Sequence, residues 1–377
     1  MKIGILTQPL HNNYGGLLQN FALQTTLKKL GHESQTINIK NRENLKLRKY
    51  ASLLKRTVLK LSGQKIRVRA WPTEEEKEII SKYTQQFIKK NITTTDLITK
   101  KLDEKLIDKF SFDAYIVGSD QVWRPKYSPQ MSTYFLDFLE NNNGVKKIAF
   151  AASFGVDEWE FTEPQTKEYK ILIKLFDAVS VREDTAIELC KKHFGVEAAH
   201  LLDPTMLLAR NDYISLVEKE KIEKSSGNLF TYILDSTDDK NSIIEKISNK
   251  YNLKAFSVMQ PKRFSDIDRN GIDECVFPPV EEWIRGFMDA EFVVTDSFHG
   301  TVFSILFNRP FIAIANKSRG TTRFTSLLRM FNLENRLIFS PEELNLDKVK
   351  EIDWGNVNEI LEQDKERAIF FLKRNLL

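Results

Sequence analysis

The sequence predicts an α/β protein built as two Rossmann-like domains facing each other across a cleft. Three observations carry that expectation. The chain has 377 residues, more than the roughly 250–300 that one hydrophobic core serves. Short apolar strands alternate with helical stretches, the pattern of strands wound into a parallel sheet. That alternation runs through once, pauses near residue 205 and restarts.

Taken in order, Lys2-Ile3-Gly4-Ile5-Leu6-Thr7 reads as a buried strand, followed by the turn Asn12-Asn13-Tyr14-Gly15-Gly16. Leu17, Leu18, Phe21, Leu23, Leu27 and Leu30 then recur mostly at three- and four-residue spacing up to Gly31, a helix ending on a C′ glycine. Strands are expected at 36–39, 114–117, 147–151 and 178–181. Their near-continuous apolarity suits parallel strands covered on both faces. After Leu202-Asp203-Pro204-Thr205, strands at 229–234, 255–258, 292–295 and 311–315 alternate with helices near 238–250, 281–290 and 298–308. Val357, Ile360, Leu361, Ala368, Phe371 and Leu372 mark an amphipathic terminal helix. The expected organisation is an N-terminal domain over 1–204, a C-terminal domain over 205–354 and the helix over 355–377.

The hydrophobic content of 41% and 26 Phe exclude a disordered chain. No apolar run is long enough to span a bilayer, and the N-terminus lacks a secretory h-region, so a cytoplasmic protein is expected. Cys190 and Cys275 have no neighbouring ligands and read as buried free thiols. The net charge of +4 is uneven, because residues 40–69 hold eleven bases and one acid, leaving the rest of the chain at −6. That distribution argues against a nucleic-acid binder. Within the basic segment, Leu47, Tyr50, Ala51, Leu54, Val58 and Leu61 fall at helical spacing among Lys46, Arg48, Lys49, Lys55, Arg56 and Lys60. Residues 45–61 therefore read as an amphipathic basic helix, either solvated on the first domain or in peripheral contact with an anionic membrane.

Ligands of open α/β sheets sit beyond the carboxyl ends of the strands, and the candidate residues are taken from those loops. His299, in Thr295-Asp296-Ser297-Phe298-His299-Gly300, lies where a strand meets a helix start, a place that attracts anions and where imidazole can donate a proton. Ser297 or Asp296 could instead be that helix's cap. Arg182 follows another strand and could fork onto a carboxylate or phosphate, or pair with a neighbouring acid. Lys317, Arg319 and Arg323 surround Gly320 and form either a phosphate cradle or a solvated loop. Ser119, Asp120 and Gln121 can bond sugar hydroxyls and Trp123 can stack on a sugar ring, unless Trp123 is in the core. Asn13, Tyr14, Gly15 and Gly16 bring backbone close to whatever fills the cleft. The strings of dinucleotide, P-loop, zinc-protease and C-x-x-C sites are absent.

These segments resemble the polysaccharide pyruvyl transferase family. The matching strings are Asn13-Tyr14-Gly15-Gly16-Leu17-Leu18-Gln19-Asn20, residues 112–123, Ala151-Ala152-Ser153-Phe154-Gly155, Val181-Arg182-Glu183-Asp184, Leu202-Asp203-Pro204-Thr205 and Thr295-Asp296-Ser297-Phe298-His299-Gly300. The resemblance implies a fold like the glycosyltransferase-B arrangement, with phosphoenolpyruvate as donor on the C-terminal domain and a sugar diol on the N-terminal one. The sugar would be lipid-linked or nucleotide-linked, and the product a pyruvate ketal on an exopolysaccharide, a capsule or its precursor. It implies His299 as general acid, and donor binding by Arg182, Ser297, Gly300, Lys317, Arg319 and Arg323. Where well-studied members carry an Arg two residues before the His, this chain has Ser297, and the charge falls to the 317–323 cluster. The implied chemistry asks for no metal or resident cofactor. Two alternatives are a nucleotide-sugar glycosyltransferase of the same architecture and a non-catalytic glycan-binding protein.

Overall fold

In the computed structural model, the residues described are 1–39, 46–63, 71–128, 130–142, 144–267, 271–315, 320–347 and 351–377. The first sheet is formed by β1 (Lys2–Leu6), β2 (Glu33–Thr36), β3 (Ala114–Val117), β4 (Lys146–Ala152), β5 (Ala178–Val181) and β6 (Ala199–His200). All its pairings are parallel, in the order β2-β1-β3-β4-β5-β6. The second comprises β7 (Leu229–Tyr232), β8 (Ala255–Phe256), β9 (Phe292–Thr295), β10 (Phe311–Ile314) and β11 (Leu337–Ile338). It too is parallel, in the order β11-β10-β9-β7-β8. The protein thus has the two parallel-sheet α/β domains that the alternating pattern predicts.

In each sheet the winding direction reverses once, between β1 and β3 and between β7 and β9. Crevices open at such points. The central strands β3 and β9 are fully buried, which accounts for their unbroken apolarity.

One strand expectation shifts. The second strand is Glu33–Thr36 rather than 36–39, because Lys2 to Ile5 pair with the polar residues Glu33 to Thr36. An edge strand is held by its backbone and can be polar on its side chains. Ile37 instead packs with Phe112 and Tyr115, and Ile39 makes an isolated bridge to Ile98. The two-residue strands β6 and β11 are too short to leave a periodic signal.

The helix Tyr14–Lys29 starts ahead of its leucine repeat because Asn13 caps it, its side chain accepting from the Gly16 N–H at 3.3 Å. Tyr14, Leu17 and Leu18 share one buried cluster with Phe230, Trp283 and Phe303 of the second domain. That packing joins the domains through an apolar seam. The terminal helix, Trp354–Leu376, crosses the seam: Val357 and Leu361 belong to the same cluster, whereas Ala368, Leu372 and Leu376 pack with Ile3, Ile5 and Leu23.

The basic segment forms a helix, Lys46–Leu61. Arg56 Nη2 donates to the Ser265 carbonyl at 2.8 Å, tying this helix to the second domain. Cys190 and Cys275 are buried and outside any disulfide, and burial pushes the Cys190 thiol up to about 12. Among the described residues, no helix is long and apolar enough to cross a membrane.

Candidate active site

Loops from the carboxyl ends of both sheets converge on Arg182, the first residue after β5. Its guanidinium is buried and donates from Nη1 to Asp203 Oδ2 at 2.7 Å; Asp120 Oδ1 lies 3.6 Å from Nη2 and Glu183 Oε1 3.8 Å from Nε. The group also lies over the Phe298 ring, 4.4 Å from its centroid. Phe298 belongs to the second domain, so this contact crosses the cleft. Neither Nε nor Nη2 finds a hydrogen-bond acceptor. A guanidinium with unsatisfied buried donors can take the paired oxygens of a carboxylate or phosphate.

The three carboxyls around it are held differently. Burial raises Asp203, but His299, Arg182 and the Thr205 hydroxyl, which donates at 2.7 Å, together hold it well below the usual carboxylate range. Asp120 is likewise lowered, burial being outweighed by Arg182, His299 and Arg323. Glu183 goes the other way: burial raises it despite Arg182 and a hydrogen bond from the Ser153 hydroxyl. Its Oε2 has no hydrogen-bond partner. The arginines thus hold Asp203 and Asp120 toward the ionised form, while burial shifts Glu183 toward the protonated one.

His299 stands on the first turn of the helix Phe298–Leu306, and its imidazole is buried. Nε2 is 3.7 Å from Asp203 Oδ2, an ion-pair distance too long for a hydrogen bond, and has no hydrogen-bond partner. The ring is seated by Gly15: a Cβ there would fall 2.1 Å from Nδ1 and 2.2 Å from Cγ. Only a glycine permits that approach. Below it, Asp296 is fixed by Lys240 Nζ at 2.6 Å and by the Leu234 N–H at 2.7 Å, which sets the turn leading into the helix.

Several expected ligand residues make contacts within the protein. Ser297 is the cap, its hydroxyl accepting from the Gly300 N–H at 3.4 Å. Gly300 packs on β9, where a Cβ would meet Thr295 Oγ1 at 2.2 Å. Trp123 is fully buried, stacks on Phe135 and spends its indole N–H on the Tyr134 carbonyl at 3.0 Å, so no sugar ring can stack on it. Tyr14 is buried against Trp283 and Tyr232, with its hydroxyl donating to the Pro278 carbonyl. Ser119 is buried and donates to the Ala151 carbonyl at 2.8 Å. Asn13 is exposed, and Gly16 and Gln121 are half-buried. Asp120 sits at the arginine cluster, its backbone left-handed at φ 67°.

Arg323 is buried in the same cluster, 5.7 Å from the Phe298 centroid, and burial with the nearby Arg182 lowers it to about 10. Lys317 and Arg319 lie outside the described residues. Gly320, where the described residues resume, has φ +89°, and a Cβ on it would lie 2.2 Å from the Gly155 carbonyl. The backbones of the two domains touch there.

Reading the sequence passes over three participants. Asp203 and Glu183 occur in the quoted strings without a role, and both follow strands as His299 does. His11, in the loop after β1, is open to solvent yet hemmed in by protein, which lowers its pKa against the raising pull of Asp120. Its Nδ1 faces the Asn13 N–H at 3.2 Å.

A family model described as polysaccharide pyruvyl transferase matches residues 13–318. No curated protein matches the chain in sequence. Among solved structures, the chain is similar to a glycosyltransferase from Rickettsia africae ESF-5, with 12% identity, coverage of 99% of this chain and 94% of that one, and a TM-score of 0.44. A UDP-GlcNAc 2-epimerase from Methanocaldococcus jannaschii gives 11%, 99%, 100% and 0.49 in the same order. A ugt transferase from Siraitia grosvenorii in complex with UDP gives 10%, 100%, 100% and 0.48.

Proposed function

The chain belongs to the polysaccharide pyruvyl transferase family, a transferase assignment in polysaccharide modification, and from that premise we propose that it moves the enolpyruvyl group of phosphoenolpyruvate onto a sugar diol to form a cyclic ketal. The observation that supports this reading best is the His299 imidazole, buried between Gly15 and Asp203 with Nε2 unbonded, beside the Arg182 and Arg323 guanidiniums near the Phe298 ring.

In this scheme His299 protonates the methylene carbon, creating oxocarbenium character at C2. One sugar hydroxyl bonds to C2 and its proton replaces the one His299 gave. The C2–O bond to phosphate breaks, and the second hydroxyl closes the ring, its proton leaving with the phosphate. The donor brings a carboxylate and a phosphate, and Arg182 and Arg323 supply fixed positive charge in a site largely shielded from water. Asp203 orients both Arg182 and His299. The exposed and half-buried residues Asn13, Gly16 and Gln121 are left for the acceptor, with Asp120 at the boundary between the two substrates.

The deciding assay is phosphate release from phosphoenolpyruvate against a panel of nucleotide-linked and lipid-linked sugars, run beside a screen of nucleotide sugars as donors. Acceptor-dependent phosphate release is the expected result, and His299→Ala should abolish it while the circular dichroism stays native. Arg182→Ala should chiefly weaken donor use. Turnover of a nucleotide sugar without phosphoenolpyruvate would replace this reading with that of a glycosyltransferase, and sugar binding without turnover of either donor with that of a glycan-binding protein.

A further inference from the structure

The helix Lys46–Leu61 carries an apolar stripe that the protein leaves uncovered. Leu54, Val58 and Leu61 are 71%, 65% and 84% exposed. Spaced four and three residues apart, they share one face. Arg56, two residues and about 200° round from Leu54, is the side chain that ties the helix to Ser265. The stripe therefore points away from the body of the protein.

Charge decides what covers it. Lys46, Arg48, Lys49, Lys55, Arg56 and Lys60 all fall within the helix, and no Asp or Glu does. Lys55 and Lys60 are exposed. A second copy of the same helix laid on the stripe would set these bases against their equals with no acid to pair them, the opposite of what helix pairing requires. A surface with an apolar interior and anionic headgroups complements both features: leucine and valine enter the acyl boundary while the flanking lysines reach back to the phosphates.

We propose that this helix docks the protein peripherally on an anionic membrane, lying in the plane of the interface with Leu54, Val58 and Leu61 inserted. Nothing in the proposal depends on the identity of the donor or on the active-site residues.

The test uses the full chain with two vesicle preparations, phosphatidylcholine alone and phosphatidylcholine with about one third phosphatidylglycerol. Co-sedimentation is expected with the second and not the first, and should weaken as salt is raised. Each basic side chain near such a surface contributes about fivefold to binding, so Lys55→Glu with Lys60→Glu should lower partitioning by at least about 25-fold. Replacing Leu54, Val58 and Leu61 together with Gln should lower it by at least about tenfold. Because all five side chains are exposed, the variants should keep the wild-type melting temperature, which is checked in parallel. Equal binding to both vesicle types, or binding that survives either set of changes, would overturn the proposal. So would a dimer in sedimentation equilibrium that the triple Gln variant abolishes, which would assign the stripe to a second copy.

Discussion

Gly15 and His299 touch across the domain seam so closely that the missing Gly15 side chain is the space the imidazole occupies. The relation is directional, since the helix of the first domain determines where the imidazole of the second can stand. In an ordinary helical position alanine in place of glycine stabilises by about 0.5–1 kcal/mol. Gly15→Ala is expected to do the opposite, lowering the melting temperature and reducing phosphate release at least about tenfold, the effect of some 1.4 kcal/mol on a barrier. A variant that melts higher and turns over normally would show that His299 is not seated by this contact.

Asp203 is the buried partner of Arg182 and faces His299. Asp203→Asn takes away the nearest charge partner of the buried guanidinium and leaves it Asp120 at 3.6 Å; breaking a buried pair costs about 3–5 kcal/mol. Urea denaturation should register a loss of that size. Removing Arg182 as well, as Arg182→Met, should restore a large share of it. Equal losses in the single and double variants would mean the pair contributes no coupling.

The opposed carboxyl shifts predict opposed effects of pH. Asp203 and Asp120 sit below their ordinary value of 3.8. Their contribution is therefore complete above that value and lost as pH falls toward their folded values. Asp203→Asn should flatten the acid limb of a stability–pH curve below about pH 4. Glu183 sits above its ordinary 4.5, so the folded state holds its proton more tightly and is penalised as pH rises past 4.5. Glu183→Gln should remove that penalty and keep or raise stability at neutral pH, read as urea midpoints across the pH range.

Trp123 offers a test of its reassignment to the core. Trp123→Phe should lower stability and leave the acceptor KM unchanged, because the indole touches Phe135 and the Tyr134 carbonyl rather than solvent. A raised acceptor KM with unaltered melting would return Trp123 to the sugar site.

What the sequence made legible follows from what leaves a local signal. Continuous apolar strands such as Ile116–Val117 and Val293–Val294 announce a buried parallel sheet, whereas Glu33 to Thr36 pair through backbone alone and look like loop. The rule that places ligands beyond strand ends pointed to Arg182 and His299 from position along the chain alone, and the fold brings the two together against Asp203. It could not say which way a side chain in such a loop turns: Trp123 and Tyr14 face the core, and Ser297 is consumed as a cap. Nor could it show that Asp203, 21 residues from Arg182 and 96 from His299, stands between them. A counter-charge belongs to the folded arrangement and has no spacing of its own.

The terminal helix has a consequence for how the protein is made. Its 23 residues span about 34 Å, and its last three turns cover Ile3, Ile5 and Leu23 in the first domain. Synthesis reaches those turns only after the entire second domain has emerged. Domains in a nascent chain generally complete themselves one after another, the N-terminal first. Here the first domain must wait with part of its sheet uncovered, and the two halves mature as one unit once this helix has emerged.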